Sequence, residues 1–282
     1  YDFNSLSYGI AQSLELAEYL GFIMINGEQP YDMIAEVDPL RHNTWGTEDN
    51  VQSHLSETYC KNNCISFPFE NRDNGRSFAD IPQSNKELID CFKQRGAVFS
   101  FAHGISVPLA YTFGKYEKQL TFNTPEWAKV VRDEITNVLE NVGIGYGSFS
   151  KIAIDGPDAV NLLKMCTTNS VPISDRCRLT YAVTPSGKVV AEFSVTCNTP
   201  GSSYYLVGSR GYVEHDVLFL QDMKRNHNLN VDIKNISNDV EIIHIAGKNS
   251  GTLLTKMFPE IETIGFLQSK FINLFGINTR VF

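Results

Sequence analysis

The sequence predicts an α+β fold, and three features carry that expectation. The run Thr124-Pro125-Glu126 opens an amphipathic helix, and Thr184-Pro185-Ser186-Gly187 separates two apolar runs as a hairpin turn. Twice, over 151–156 and 241–247, an apolar strand ends in glycine and is followed six and seven residues later by a leucine pair, Leu162-Leu163 and Leu253-Leu254. Two related halves of one layered domain explain such an echo better than a repeat array, because the spacing is too long for a solenoid.

Taken in order, Ile10, Leu14 and Ala17 have helical spacing, with Gly21 as the expected stop. Val51, Leu55 and Tyr59 share one face of a second helix over 47–59. Ser84 and Glu87 form a capping box for a short helix through Leu88 and Phe92, and 97–101 follows as a buried strand. Thr124 is the expected N-cap of the next helix, with Trp127, Val130, Val131, Val138 and Val142 on its apolar face and Gly143 at its end. The glycine-rich stretch 143–148 follows a helix and precedes a strand, the reverse of a phosphate cradle, so a flexible joint is expected there. Strand 151–154, a helix at Leu162, the hairpin of 179–183 with 188–195, strand 204–207 and a helix from Gly211 to about Lys224 come next. Strands near Val231 and Ile243 complete the series.

At 282 residues the chain suits one large unit or two smaller ones. Apolar residues at 42% and charged residues at 20% are ordinary for a globular protein and exclude a disordered or collagen-like chain. With 32 acidic against 24 basic residues and no dense basic run, nucleic acid is not an expected partner. The strongly apolar stretch 20–25 is far short of the ~20 residues that cross a bilayer, so no membrane partner is expected. Six scattered cysteines suit reduced thiols in an intracellular compartment. No leader precedes Tyr1, so no targeting signal is expected in this chain.

Metal binding is not expected: the six histidines form no HExxH, and His54, Cys60 and Cys64 do not make up a ligand set. The residue that stands out is Glu192. In Lys188-Val-Val-Ala-Glu-Phe-Ser-Val195, alternation places Val190, Glu192 and Ser194 on one face. Such a mid-strand carboxylate either faces water or lines a pocket as a proton acceptor or cation stabiliser.

The segments 127–142, Phe149-Ser-Lys-Ile152, Asp155-Gly-Pro-Asp-Ala159, Thr168-Asn169, Tyr181, Pro185-Ser-Gly-Lys-Val189 and Ala191-Glu-Phe-Ser-Val195 together resemble the aminomethyltransferase, or glycine-cleavage T-protein, fold. With Phe3-Asn4-Ser5, Tyr31-Asp32-Met33, Asp38-Pro39, Glu57-Thr-Tyr59, Phe67-Pro68 and Gly75-Arg76, the resemblance extends to dimethylglycine and sarcosine dehydrogenases, in which an FAD amine-oxidase module precedes a folate module.

The resemblance implies that residues 1–123 are the tail of an FAD-dependent oxidoreductase module and 124–282 the first part of a folate-binding domain. It implies oxidative N-demethylation of a small methylated amine, one-carbon transfer to tetrahydrofolate, and a mitochondrial matrix address. FAD belongs to the longer parent and is not expected on this chain alone. Glu192 matches the catalytic acidic position, as Glu where T-proteins have Asp. Phe149 and Tyr181 match pterin contacts, and Gly208-Ser209 match a polar backbone site. A second pocket glutamate belongs to sequence beyond Phe282, and the apolar run Phe271, Ile272, Leu274 and Phe275 is expected to support self-association where it lacks cover. Ser13-Leu14-Glu15, where relatives carry a glycine pair, keeps open a non-catalytic relative like the regulatory subunit of pyruvate dehydrogenase phosphatase.

Overall fold

The computed structural model describes residues 6–27, 86–102, 105–112 and 122–282. The expected helix over 47–59, the Ser84 cap and the group of His54, Cys60 and Cys64 lie outside them. Helix α1 (Leu6–Asn26) runs through Gly21, the expected stop, since apolar side chains continue on both sides of that uncrowded glycine. It closes instead at Gly27, whose φ of +70° and hydrogen bond to the Ile23 carbonyl (2.8 Å) make a left-handed cap. Helix α2 (Lys86–Gln94) follows, then an antiparallel hairpin of β1 (Ala97–Ala102) and β2 (Ile105–Tyr111), whose second strand the sequence pattern did not predict. Val98 and Phe99 are half-buried rather than buried.

Helix α3 (Ala128–Glu140) begins after Trp127, and Ala128 donates to the Pro125 carbonyl at 3.0 Å. Thr124 therefore precedes a turn and does not cap the helix. Trp127, Val130, Val131 and Val138 form the expected stripe, half-buried throughout. The segment expected to be a flexible joint is strand β3 (Gly143–Gly147), paired antiparallel with β9 (Ile242–Ala246). Gly147 answers to crowding, because a Cβ there would lie 2.5 Å from His244 Nε2 and 3.0 Å from Phe149 Cε2.

The main sheet has five antiparallel strands in the order β5-β6-β7-β4-β8. They are β4 (Phe149–Asp155), β5 (Cys177–Val183), β6 (Val189–Thr199), β7 (Ser203–Ser209) and β8 (Asp232–Asn235). The β5–β6 hairpin closes as the sequence predicts, with Gly187 at φ +80° donating to the Thr184 carbonyl at 2.9 Å. One face of this sheet is buried under α4 (Ala159–Cys166) and α5 (Val213–Asn226), where Ile152, Ile154, Leu162, Phe193, Leu206 and Leu220 are fully enclosed. Each such side chain contributes about 1.5–3 kcal/mol. Cys91, Cys166, Cys177 and Cys197 are free thiols. No helix among the described residues is long and apolar enough to cross a membrane.

The internal echo is structural. Strand β4, Gly156 and α4 recur as β9, Gly247 and α6 (Ser250–Met257). In both units the glycine has a positive φ, +139° and +120°, and lies under a carbonyl that follows another helix: an added Cβ would come 2.6 Å from Asn230 O or 2.5 Å from Asn141 O. In both, the glycine carbonyl accepts from the residue three further on, Ala159 at 3.1 Å and Ser250 at 3.0 Å. Each unit thus crosses a helix-to-strand connection at a point where only glycine fits. A short hairpin, β10 (Lys270–Leu274) with β11 (Ile277–Val281), follows the second unit. Ile272 is buried there, whereas Phe271 and Phe275 are exposed.

A buried lysine joins the main sheet to the loop that leads into β9. Lys151, 2% exposed, donates from Nζ to the carbonyls of Ser237 (2.8 Å) and Val240 (2.5 Å), and Ile236 N–H returns a bond to the Lys151 carbonyl at 2.9 Å. Burial pulls its ammonium pKa down to about 8, against the opposing pull of Glu241.

Two expectations follow from this architecture. Gly156→Ala and Gly247→Ala should each cost at least ~2 kcal/mol in urea unfolding, whereas Gly21→Ala, in open helical surroundings, should gain about 0.5–1 kcal/mol. Because the Lys151 pKa is lower in the folded chain than the ordinary 10.5, the unfolded chain binds more protons between pH 8 and 10.5. The stability of the unsubstituted chain relative to Lys151→Met should therefore rise across that window and stay flat below it. A relative stability that falls or stays constant between pH 8 and 10.5 would show that the ammonium is not desolvated.

Candidate functional site

The face of the main sheet opposite the helices carries a cavity of about 530 Å³, a size that suits a small organic ligand. Strand alternation explains its wall. On β6 the core takes Ala191, Phe193 and Val195, so Val190, Glu192 and Ser194 emerge on the other side. The antiparallel register then sets Tyr181 opposite Glu192, Leu179 opposite Ser194 and Val207 opposite Ser194 from the far side. On β4, Phe149 stands opposite Ser209, one rung beyond the Ser150–Gly208 pair.

Four of the five site residues expected from the sequence line this one cavity: Glu192, Phe149, Gly208 and Ser209. Glu192 is exposed on its open wall. Tyr181 stands beside Glu192 on β5, 41% exposed, and is outside the lining. Gly208 contributes backbone to the cavity, and its vacant Cβ position turns toward the core, where a methyl group would lie 3.0 Å from Phe193 Cδ1 and 3.1 Å from Ser150 Oγ. The Phe149 ring is held edge-on to His244 of β9 with centroids 5.5 Å apart, in the space Gly147 leaves open. The glycine-rich segment thereby orients a wall of the cavity.

Several lining residues went unread in the sequence: Ser148, Arg210, Tyr212 and Asp216, while Ser194 reads only as sharing the face of Glu192. Arg210 and Tyr212 occupy the single 3₁₀ turn (Arg210–Tyr212) between β7 and α5, and Asp216 lies in the first turn of α5. Helical spacing does mark Val213, Val217 and Leu220 as a core face, but the neighbouring Asp216 reads as a solvated first-turn acid. Arg210 donates from Nη2 to Asn238 Oδ1. Burial lowers its pKa, while Tyr146, Glu241 and Glu214 pull the other way. Tyr146 in turn donates to Glu241 Oε2 at 2.8 Å, and burial together with that bond raises the phenol's pKa. Arg210 Nη1 and Ser148 Oγ are buried without a hydrogen-bond partner. Orphaned polar atoms of this kind call for a ligand or water. Among the described residues no group of His, Cys, Asp or Glu has the arrangement of a metal site.

The lining combines a flat aromatic wall, aliphatic residues from β5 and β6, two carboxyl groups, serine hydroxyls and one guanidinium. That donor set fits a polar heterocycle stacked against an apolar wall.

Comparison with known proteins agrees with this fold. The family model described as the GCVT N-terminal domain matches residues 88–282. Mitochondrial dimethylglycine dehydrogenase of Rattus norvegicus is 28% identical over 275 residues, covering 96% of this chain and 31% of the relative. The enzyme of the same name from Homo sapiens is 27% identical over the same length, with the same coverage of both chains. The chain thus spans about a third of the length of these relatives. The crystal structure of glycine cleavage system aminomethyltransferase T from Bartonella henselae superposes with a TM-score of 0.51 at 17% identity, covering 64% of this chain and 45% of that one, a likeness of fold. With an α+β architecture of the aminomethyltransferase type and a family match over more than half its length, the chain belongs to the GCVT N-terminal domain family, as a dimethylglycine dehydrogenase-like member.

Proposed function

We propose that the cavity binds tetrahydrofolate and that the chain is a fragment of a dimethylglycine/sarcosine-dehydrogenase-like enzyme, which transfers the carbon released by oxidative N-demethylation of a small methylated amine. The observation that supports this most directly is the convergence of Glu192, Phe149, Gly208 and Ser209 on one cavity. On this reading, residues 1–123 are the tail of a flavin module that holds FAD in the longer protein, and 124–282 begin the folate-binding domain. The working compartment is the mitochondrial matrix.

Bound tetrahydrofolate would supply the nucleophilic nitrogens that accept the one-carbon unit. Phe149 offers the flat apolar wall against which a pterin ring packs and excludes water, its angle fixed by His244. Val190, Leu179 and Val207 extend that wall. Ser194 and Ser209 offer hydroxyls to the ring edge. Glu192 projects from mid-strand on the same face as Ser194, and its carboxyl group stabilises positive charge that develops on the transferring group or holds a proton on an Oε atom. Tyr181, its cross-strand neighbour, borders the open side.

Glu192→Gln should lower one-carbon transfer in the intact enzyme by ~10² to 10³, because a charge-stabilising group acts most strongly where charge develops. Tetrahydrofolate affinity, measured by calorimetry on the same protein, should fall much less, since the amide keeps the packing. Equal losses would reduce Glu192 to a ring-positioning group. No loss in either measurement would overturn the reading and leave Glu192 an ordinary strand residue.

A further inference from the structure

Asp216 is the second carboxyl group of the cavity, and it is built unlike Glu192. It sits in the first turn of α5 between two core residues, Val213 and Val217, and is 2% exposed while lining the cavity. Its polar partner is the adjacent His215, whose Nδ1 lies 3.2 Å from Oδ1. Burial raises its pKa, and the His215 contact offsets this only in part. A carboxyl group so placed is costly to bury. An aliphatic side chain would fill the core-facing side of that turn without the cost of burying a carboxyl group, so packing alone does not account for an acid here. What distinguishes the position is access to the ligand cavity.

We infer that Asp216 is a ligand-binding residue of this cavity, presenting a desolvated carboxyl group to N–H donors on the edge of a bound nitrogen heterocycle. The inference rests on the folate reading and deepens it. The chain then holds two carboxyl groups for two tasks: Glu192 on the open wall beside the reacting group, and Asp216 in the helix wall gripping the ring. In a site shielded from water a carboxyl group and paired N–H donors make strong hydrogen bonds, and the burial that disfavours the empty charged form is relieved when donors arrive.

The test is Asp216→Asn in the intact protein that contains this chain, with two probes: tetrahydrofolate and 6-methyltetrahydropterin, which keeps the ring and lacks the tail. Asn preserves shape and removes the charge. Affinity for both probes should fall together, by about 10- to 100-fold, while the melting temperature stays level or rises because a buried acid has been removed. Affinities within twofold of the unsubstituted protein would overturn the inference. So would a lowered melting temperature with binding intact, the result expected of a purely structural acid. If the unsubstituted protein binds neither probe, the folate reading itself fails and takes this assignment with it, an outcome distinct from binding that ignores Asp216.

Discussion

Two close crossings of backbone on backbone organise the molecule. At Gly156 and again at Gly247, a strand turns into a helix directly beneath a carbonyl of the connection that follows another helix, with no room for a Cβ. These crossings fix where β4 meets β8 and where β9 meets β3, and they set the helices that follow each glycine. In the first unit the consequence is complete. Strand β4 is flanked on both sides, and its Ile152 and Ile154 are fully enclosed by the helices and β7. In the second unit the corresponding Ile243 and Ile245 remain partly exposed, because β9 is flanked by β3 alone among the described residues. The same local geometry therefore supports a dense core in one half and a looser one in the other.

The two halves meet through polar groups as well as packing. Lys151 projects from the same face of β4 as Phe149 and reaches carbonyls of the loop that leads to β9. Tyr146 of β3, Glu241 before β9 and Arg210 after β7 gather nearby. Buried charge of this kind contributes little net stability, but it penalises any arrangement in which the partners are lost. Its effect is to specify the position of β9 relative to β4. That position places His244 against Phe149, so the joint between the halves also shapes a wall of the cavity.

The cavity draws on the division of labour between the faces of one sheet. The core face is closed by α4 and α5, which leaves the opposite face free to present alternate residues of four strands. Glu192 can be a mid-strand carboxylate without harm to folding because it emerges on that free face. Asp216 arrives from elsewhere, on the first turn of α5, which follows the 3₁₀ turn at the end of the central strand β7. A rigid strand residue and a helix residue thus bracket the same space, an arrangement that holds polar groups more firmly than loops do.

Much of this was legible in the chain. Period-two alternation around Glu192 gave its face, the Pro-Ser-Gly turn gave the hairpin, and the repeated strand-Gly-Leu-Leu pattern gave the two related units, because each is set by neighbours a few residues apart. Other features depend on residues far apart in sequence. The stretch 143–148 reads as a hinge until His244, about a hundred residues later, is seen filling the space its glycines leave. Gly21 reads as a helix stop, yet a lone glycine in an apolar helix costs too little to end it without a cap. Asp216 reads as a first-turn acid at a solvated helix start, and no local pattern marks Arg210. Local pattern determined the strands, the turns and the face on which Glu192 lies. Only the tertiary structure decided which carboxyl group is desolvated, because burial is set by what packs around a residue and not by its neighbours in the chain.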